Sequence, residues 1–489
     1  MNQPSPQTRP WAALWTLMIG FFMILVDSTI MSVATPAIMR DLRIDLSSAV
    51  WVTSAYLLAY AVPLLISGRL GDRFGTKNVY LAGLGVFTLA SFACGLAGDF
   101  TSLVAARVVQ GLGAALIAPQ TMAVITRIFP ADNRGPALAM WGTIGGLGGL
   151  VGPQLGGLIV GTTSWSWIFF INIPIGVIGF VLALKHVPRL PASSHRLDVL
   201  GVVLSGAGMF CLVFGVQEGD RYNWGTITNW LSVPLLIGAG LALLAAFVLW
   251  QARNKSEPLI PLQLFTHRDF SLAGIAMATM GFAITCIALP LMLYAQNARG
   301  FSPTESALLL LPLALVMAVA APVVGRLIGR FSARTLATAG FTCTLGSLFW
   351  LGAILRPDTP IWQLEIPIAL IGLGNAFIGS PLSTTAVRSL PLALAGAGSG
   401  AFNAIRQLGA VLGAASIATL MTARLNAEMP GAATEMNEAY EYAAAMGQSL
   451  FLAAAVLILG LSASMFFTTG TPKAATASES LITGADRVA

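Results

Sequence analysis

Long apolar runs separated by short polar segments dominate the chain. A transmembrane helix needs about 20 consecutive apolar residues, and runs of that length predict fourteen membrane-spanning helices. The first run is too long for the core of a signal peptide, so we interpret it as helix 1. The predicted limits are 11–37, 47–68, 78–98, 101–127, 136–161, 167–187, 199–217, 230–250, 269–296, 304–327, 333–355, 363–388, 396–422 and 446–469. The pattern predicts an all-α polytopic membrane protein.

Composition agrees with this interpretation. Of the 489 residues, 56% are apolar and 9% charged, with a mean hydropathy of +0.80, whereas soluble proteins carry about 25% charged residues. A net charge of +6 and a pI near 9.4 are compatible with nucleic-acid binding. The basic residues, however, stand singly or in pairs between apolar runs, as signals of membrane orientation do. The expected partner is therefore the lipid bilayer and not nucleic acid.

Lysine and arginine also predict the orientation. With a cytoplasmic N-terminus, the inner loops and tails carry eighteen of these residues and the outer loops six. Cytoplasmic segments are the ones enriched in Lys and Arg. An even number of helices then returns the C-terminus to the cytoplasm.

A weak internal repeat predicts two halves. Residues 68–83 (GRLGDRFGTKNVYLAG) align without gaps to residues 325–340 (GRLIGRFSARTLATAG). The offset fits six helices per half only if two further helices stand between the halves, the parallel-repeat arrangement of many secondary transporters. We therefore predict a six-helix bundle over 1–188, a two-helix insert over 189–262 and a second six-helix bundle with a tail over 263–489.

The predicted fifth span is rich in small residues. Residues 142–157 read GTIGGLGGLVGPQLGG, in which Gly148, Gly152, Gly156 and Gly157 are expected to share one helix face. Pro153 removes a backbone hydrogen bond and favours a kink. Small residues let two helices approach closely in a membrane. We expect this face to pack against a helix of the other half; a tight packing contact without a transport role is the alternative.

Several motifs resemble one family. GRLGDRFGTK matches the loop motif between helices 2 and 3 of the major facilitator superfamily. Together with it, five segments are similar to the fourteen-span drug:proton antiporters of the QacA/EmrB type: LVDSTIMSVATPAI (25–38), WVTSAYLLAYAVPLLISGRLGDRFG (51–75), RVVQGLGAALIAP (107–119), GLVGPQLGG (149–157) and WSWIFFINIPIG (165–176). Three residues depart from the family pattern: Thr76, Ser166 and Gly329.

The resemblance implies a fold and an activity. The fold is the major facilitator fold, two six-helix bundles with two inserted helices. The activity is proton-coupled antiport that exports amphipathic small molecules across the bacterial inner membrane, driven by the proton gradient without a cofactor. The glycine-rich motif of helix 5 marks antiporters in this family. A monomer is expected, and no residue indicates a periplasmic adaptor. An exporter of one endogenous metabolite, or a nutrient:proton symporter on the same fold, is the alternative.

Three ionisable residues lie deep in the predicted spans. An ionisable group inside the membrane is costly and indicates function. Asp27 in helix 1 and Arg107 in helix 4 lie at compatible depths on helices that line the central cavity of the superfamily. We predict that Asp27 takes up and releases the proton and that Arg107 tunes it. Alternatively, Asp27 stabilises a helix break or stays permanently paired with an arginine, and Arg107 extends to the interface. Arg406 is expected to contact carbonyl groups, Asn403 or Gln407 at the seam between the halves, with direct contact to substrate as the alternative.

The loop motif is expected to form a gate. Asp72 lies at the cytoplasmic end of helix 2, where it can interact with the N-terminal end of a helix from the other half while the transporter faces outward. Gly75 permits the turn into helix 3. A solvated topology signal is the alternative. The residues of this gating loop are Gly68, Asp72, Arg73, Gly75 and Lys77.

The substrate is the least determined feature. Apolar, aromatic and methionine side chains on the presumed cavity helices suit a flat amphipathic molecule. Because Asp27 is the single deep carboxylate, a monovalent cationic, zwitterionic or neutral compound is expected rather than a dication. The candidate cavity residues are Phe22, Met23, Met31, Tyr56, Met277, Met280, Phe377, Asn403 and Arg406. No nucleotide-binding or zinc-protease motif is present, so an enzyme is not expected.

Overall fold

The computed structural model describes residues 10–190, 198–254, 258–328, 330–388, 390, 395–428 and 435–468. Within these ranges, thirteen helices are long and apolar enough to cross a membrane. The remaining predicted span falls on α5 (Ala131–Thr162), in which the apolar segment Leu147–Thr162 is shorter than the others. The all-α, multi-pass prediction is therefore confirmed, and fourteen spans stays a prediction. Gly329 and the predicted cytoplasmic termini lie outside the described residues.

The N-terminal half is a bundle of long helices joined by tight connections. Asp45 and Asp99 cap α2 and α4, and each carboxylate accepts a hydrogen bond from a backbone N–H at 2.9 Å. The hydrogen bonds from Ser102 hold the pKa of Asp99 below its usual range. Gly75 has φ +88°, a value that favours glycine, and allows α3 to start directly after α2. The helices are α1 (Pro10–Leu42), α2 (Leu46–Phe74), α3 (Thr76–Leu96), α4 (Phe100–Ile128), α5, α6 (Trp167–Phe170) and α7 (Asn172–His186).

The sixth predicted span, 167–187, is observed as a helical segment over Trp167–His186. Ile171, between α6 and α7, keeps helical dihedral angles and donates its N–H to the carbonyl of Trp167 at 3.1 Å. Pro174 lies in the first turn of α7, where its missing N–H removes no helical bond. Asn172 lies at the start of α7, in the interior of the bundle, where it is 2% exposed.

The two-helix insert consists of α8 (Val199–Gln217) and α9 (Val233–Arg253), joined by a short hairpin. Strands β1 (Thr226–Thr228) and β2 (Leu231–Ser232) pair antiparallel, with Thr226 opposite Ser232. Asp198 caps α8 and accepts hydrogen bonds from Trp250 and Gln251 of α9, both at 2.8 Å. Burial raises the pKa of the Asp198 carboxyl, but these hydrogen bonds outweigh it and hold that pKa below its usual range.

The insert lies against both halves. Trp51 of α2 donates its indole N–H to Glu218, which follows α8, at 2.5 Å. Thr419 of α16 (Ala395–Glu428) donates to the carbonyl of Val216 at 2.7 Å. The last turn of α8 therefore bridges a helix of the N-terminal half and a helix of the C-terminal half.

The C-terminal half contains two interruptions that the apolar runs do not predict. The run 269–296 forms α11 and then a π-helical turn, Tyr294–Ala298, which follows Pro290. The run 304–327 is divided at Leu310, just before Pro312 in the first turn of α13. The helices are α10 (Gln263–Thr266), α11 (Arg268–Leu293), α12 (Pro303–Leu309), α13 (Leu311–Leu327), α14 (Ala333–Ile354), α15 (Ile361–Arg388), α16 (Ala395–Glu428) and α17 (Glu435–Met465).

The two halves meet along two main seams. On one side α2 packs against α16; on the other α5 packs against α12 and α13, with α1 contacting α11 between them. Buried apolar residues of α16, among them Val411 and Ala415, belong to the same core cluster as Leu57 of α2. The exact domain boundaries stay a prediction, since residues 191–197 and 255–257 lie outside the described part of the chain.

The glycine face of α5 packs mainly against its own half, and not against the other half as the sequence predicts. Gly148, Gly152 and Gly156 pack against α1 of the same half. A Cβ added at Gly148 would lie 2.5 Å from the Cβ of Leu25, and a Cβ added at Gly156 would lie 2.6 Å from Cγ1 of Ile30. Gly157 alone of the four faces the C-terminal half, where a Cβ would lie 2.5 Å from that of Ala307. The reason is geometric, because Gly157 is one residue beyond Gly156 and so points about 100° further around the helix. Pro153 is buried within the continuous α5.

We predict that Gly152→Ala destabilises the protein and that Gly149→Ala does not. A Cβ at Gly152 overlaps the Thr29 hydroxyl and lies 3.0 Å from the carbonyl of Val26, so α1 and α5 must separate. Overpacking of this kind costs about 1 to 3 kcal/mol. At Gly149 no atom lies within 4 Å of the added Cβ. Thermal denaturation of the two purified variants tests this, and equal melting temperatures would contradict it.

Candidate functional site

A buried ion pair lies at the centre of the N-terminal half. Asp27 of α1 and Arg107 of α4 approach to 2.6 Å between Oδ2 and Nη1, and both side chains have no exposed area. The two residues that the sequence placed at compatible depths are therefore in direct contact. Arg107 does not extend to the membrane interface, and Asp27 lies within an unbroken helix.

The second carboxylate oxygen of Asp27 is also bonded. Gln110 and Asn172 donate their side-chain amides to Oδ1, at 2.8 and 3.2 Å. The carbonyl oxygen of Gln110 accepts from Nη1 of Arg107 at 2.6 Å. A buried charge is tolerated when it is paired and hydrogen-bonded, and this arrangement meets both conditions.

Ser91 of α3 connects the pair to the rest of the bundle. Its hydroxyl accepts hydrogen bonds from Gln110 and Asn172, at 3.0 and 2.9 Å, and donates to the carbonyl of Phe169 at 3.1 Å. Four helices, α1, α3, α4 and α7, thus contribute side chains to one polar cluster: Asp27, Ser91, Arg107, Gln110 and Asn172. We call it the Asp27 cluster.

The guanidinium of Arg107 has two further contacts with α2. Its Nε donates to the carbonyl of Val52 at 3.1 Å, and its Cζ lies 4.0 Å from the centre of the Tyr56 ring. An aromatic face attracts a cation at this distance. Nη2 has no hydrogen-bond acceptor in the described structure. Tyr56, predicted as a cavity residue, is instead fully buried beside the ion pair.

Sequence analysis missed Ser91, Gln110 and Asn172. Gln110 follows Arg107 by three residues, and residues three apart lie on the same face of a helix; this signal was available in RVVQG. Asn172 stands just before a helix-starting proline in an apolar run. Ser91 carries no comparable signal, because a hydroxyl in an apolar helix usually bonds to its own backbone.

The gating loop makes contacts within its own half. Asp72 forms an ion pair with Arg127 of α4 rather than with a helix of the C-terminal half. Lys77 donates to the carbonyl of Leu184 at 2.7 Å, and Arg73 lies over the ring of Phe74. The side of Gly68 where a Cβ would project is open. The predicted contact of Asp72 with the other half is therefore absent from this conformation.

The candidate cavity residues divide into two groups. Met23, Met31 and Met277 are almost fully buried in hydrophobic core clusters, so the structure corrects their assignment to a cavity surface. Methionine fills irregular gaps in cores as readily as it lines binding sites, and its residue type alone does not separate the two. The residues that remain partly exposed are Phe22, Met280, Phe377, Asn403 and Arg406.

Arg406 also differs from its expected role. It lies within α16 and forms no hydrogen bond or ion pair with any described residue, in contrast to the predicted contacts with carbonyls, Asn403 or Gln407. A Cβ added at Gly281 of α11 would lie 3.3 Å from Cγ of Arg406, so the side chain begins against α11.

Hydrogen bonds join the two halves near the predicted outer end. Gln154 of α5 donates to the carbonyl of Ala307 at 2.8 Å, and Thr304 donates to the carbonyl of Gly157 at 2.9 Å. Gln296, in the π-helical turn, donates to the carbonyl of Val33 at 3.2 Å. All the described side-chain hydrogen bonds between α1–α7 and α11–α17 are of this set. The halves are therefore held together at the end where α1 finishes and α12 begins.

Two helical bundles, with a buried ion pair at the centre of the N-terminal one, are typical of a multi-pass membrane transporter. The sequence profile of the Major Facilitator Superfamily matches residues 17–414. The chain belongs to this superfamily.

Named relatives and solved structures agree. The chain is 50% identical to an uncharacterized MFS-type transporter of Mycobacterium tuberculosis, covering 94% of this chain and 81% of that protein. It is 36% identical to the tetracenomycin C resistance and export protein of Streptomyces glaucescens, covering 88% and 79%. It is 32% identical to the multidrug resistance protein Stp of Mycobacterium tuberculosis, covering 84% and 76%. The crystal structure of a D-xylose-proton symporter matches with a TM-score of 0.66 at 14% identity, covering 94% of this chain and 98% of that one, which shows the shared fold.

We predict that Arg107→Gln alone costs about 3 to 5 kcal/mol, because it leaves the carboxylate of Asp27 buried without its counter-ion. The double variant Asp27→Asn, Arg107→Gln removes both charges and should recover much of this loss. Arg127→Gln breaks the partly exposed pair with Asp72 and should cost less than about 1 kcal/mol. Denaturation of the four proteins measures these differences. A double variant no more stable than Arg107→Gln would show that the two charges are not coupled.

Proposed function

We propose that this protein is a proton-coupled antiporter that exports amphipathic toxic small molecules by alternating access. The observation that carries the proposal is the buried Asp27–Arg107 ion pair. A carboxylate can take up a proton, and in this position the change in its charge alters what Arg107 can bind. No cofactor is needed, since the proton gradient supplies the energy.

The proton step changes the Asp27 cluster directly. In the conformation described here, Asp27 has no exposed side-chain area and its two oxygens accept from Arg107, Gln110 and Asn172. Uptake of a proton removes the charge that holds Arg107, and one oxygen becomes a donor. At least one of these donors must then turn away. The cluster therefore has two arrangements that differ by one proton.

Helix α1 connects this change to the contact between the halves. Val33, whose carbonyl accepts from Gln296, lies six residues beyond Asp27 on the same helix, a distance of about 9 Å. Thr29, two residues from Asp27, donates to the carbonyl of Gly148 at 3.2 Å and so joins α1 to α5. α5 in turn bonds to α12. A shift of α1 on protonation is thus transmitted to the bonds at the predicted outer end.

The energy available is sufficient for export. One charge crossing a potential of roughly 150 mV yields about 3.5 kcal/mol, which supports a concentration ratio of more than a hundredfold. Asp72, which pairs with Arg127 of α4, belongs to the loop that is proposed to close the inner end in the opposite conformation. When Asp72 exchanges its contact with Arg127 for a contact with the other half, the free-energy difference between the two conformations changes by about 0.3 to 2 kcal/mol.

The relatives support export of toxic compounds. Besides those above, the chain is 32% identical to the methylenomycin A resistance protein of Streptomyces coelicolor and 35% identical to the cephamycin export protein CmcT of Amycolatopsis lactamdurans. We propose the same direction of transport here, in a fourteen-span protein of the bacterial inner membrane with both termini cytoplasmic. Export of a single endogenous metabolite is the second candidate, because the probable actinorhodin transporter is also 35% identical.

We expect Asp27→Asn to abolish uphill transport. The amide fills the same space but takes up no proton, so substrate addition should release no proton and a proton gradient should drive no accumulation in proteoliposomes. Asp99→Asn is the matched control, because Asp99 is an exposed helix cap and asparagine caps equally well. Accumulation by Asp27→Asn as steep as that by the parent protein would overturn the proposal.

A deletion strain separates a drug exporter from a metabolite exporter. If the protein exports toxic compounds, its loss should lower the growth-inhibiting concentration of several structurally unrelated amphipathic compounds. Loss of a single-metabolite exporter should instead raise the intracellular level of one compound and leave these sensitivities unchanged. Complementation with Asp27→Asn should restore neither phenotype, whereas Asp99→Asn should restore the phenotype that the deletion shows.

A further inference from the structure

Two side-chain amides donate to the same oxygen of Asp27, but they differ at their own oxygens. Gln110 and Asn172 donate to Oδ1 of Asp27 at 2.8 and 3.2 Å, and both also donate to the hydroxyl of Ser91. The amide oxygen of Gln110 accepts from Nη1 of Arg107 at 2.6 Å. The amide oxygen of Asn172 accepts no hydrogen bond from a described residue. Of the two amides, Asn172 is therefore the one whose oxygen is open to a new donor.

A protonated carboxyl group needs a hydrogen-bond acceptor, which the present partners of Asp27 do not provide. Oδ2 accepts from Nη1 of Arg107 at 2.6 Å, and Oδ1 accepts from two amide N–H groups. A hydroxyl on either oxygen would point at a donor. A buried donor without an acceptor costs the desolvation free energy of that group. One of the partners must therefore present an oxygen in place of an N–H.

Gln110 is held in its present orientation by its oxygen, which accepts from Arg107 and, at 3.6 Å, from the thiol of Cys94. If the amide turned over, its N–H groups would face the N–H groups of the guanidinium. Arg107 itself is held by contacts that do not depend on the charge of Asp27. Its Nε donates to the carbonyl of Val52 at 3.1 Å, and its Cζ lies 4.0 Å from the centre of the Tyr56 ring.

Asn172 can turn, because no described donor holds its oxygen. The oxygen and nitrogen of an amide occupy nearly equivalent positions, so a half-turn brings Oδ1 of Asn172 to the place where Nδ2 now bonds Asp27. This bond is also the longest of the three that the carboxylate accepts. The turn gives up the bond to Ser91, whose hydroxyl keeps the hydrogen bond from Gln110 at 3.0 Å.

We infer that Asn172 is the positioning residue that accommodates the proton. Its amide donates to Asp27 while the carboxylate is charged, and turns over to accept from the carboxyl hydroxyl once Asp27 is protonated. The proton then lies on Oδ1, and Arg107 keeps Oδ2 as a weaker, uncharged acceptor. The inference rests on the proposed proton coupling and deepens it. Since Asn172 is the first residue of α7, each proton changes a hydrogen bond at the start of this helix.

Infrared difference spectroscopy of the full-length protein in proteoliposomes tests the inference. Spectra in alkaline buffer are subtracted from spectra in acidic buffer, and the band of the protonated Asp27 carboxyl is the one that Asp27→Asn removes. Protonation should also shift one side-chain amide C=O band to lower frequency, because a carbonyl that accepts a hydrogen bond vibrates at lower frequency. Isotope labelling of the side-chain carbonyl of asparagine in the wild-type protein should move this band, whereas labelling of glutamine should not.

Two variants of similar side-chain size assign the amide. Asn172→Leu should remove the shifted amide band and raise the frequency of the Asp27 carboxyl band, because the hydroxyl then has lost its acceptor. Gln110→Met should leave the amide band in place. Asn375→Leu is the matched control, since Asn375 is a buried asparagine in α15 of the other half, and both bands should stay unchanged.

The possible failures are distinct. The inference is wrong if no asparagine band shifts when Asp27 is protonated, or if the shifted band moves with the glutamine label and disappears in Gln110→Met. The labelling result is obtained on the wild-type protein, so it decides the matter even if Asn172→Leu does not fold. If Asp27→Asn removes no carboxyl band at all, the proposed proton coupling fails together with this inference.

Discussion

A charge buried in a membrane protein must find its partners within the protein, and the N-terminal half is built around this constraint. The carboxylate of Asp27 receives hydrogen bonds from α4 and α7, while Ser91 of α3 holds the two amides in place. Four helices are therefore fixed relative to one another by one acidic side chain. Because these bonds form around a titratable group, the same contacts that stabilise the bundle also make its geometry sensitive to a proton.

The apolar pattern determines much of the fold but not its interruptions. Thirteen of the predicted spans appear as helices of sufficient length, because burial in lipid leaves the backbone few alternatives. The interruption at Leu310 and the π-helical turn after Leu293 do not change hydropathy, and prolines near them were the available signal.

The candidate site was predictable only in part, for a similar reason. Asp27 and Arg107 stand out because charge is rare in apolar helices. Met23 and Met31 were misassigned because an amphipathic pattern is weak when both lipid and core are apolar, so a helix face cannot be read from hydropathy. Gly152 shows the same limit: its small size predicted close packing, but only the structure shows that the neighbour is α1.

The inserted helices have a mechanical consequence. Glu218 and Val216, at one end of α8, bond to Trp51 on one side and to Thr419 on the other. Both halves therefore bond to the same end of α8 on one side of the protein. On the opposite side, at α5 and α12, no inserted helix contacts both halves among the described helices. A motion that separates the outer ends of the two halves must either break these two hydrogen bonds or rotate the halves about them. In the second case the space between the halves opens asymmetrically and is widest on the side opposite the insert.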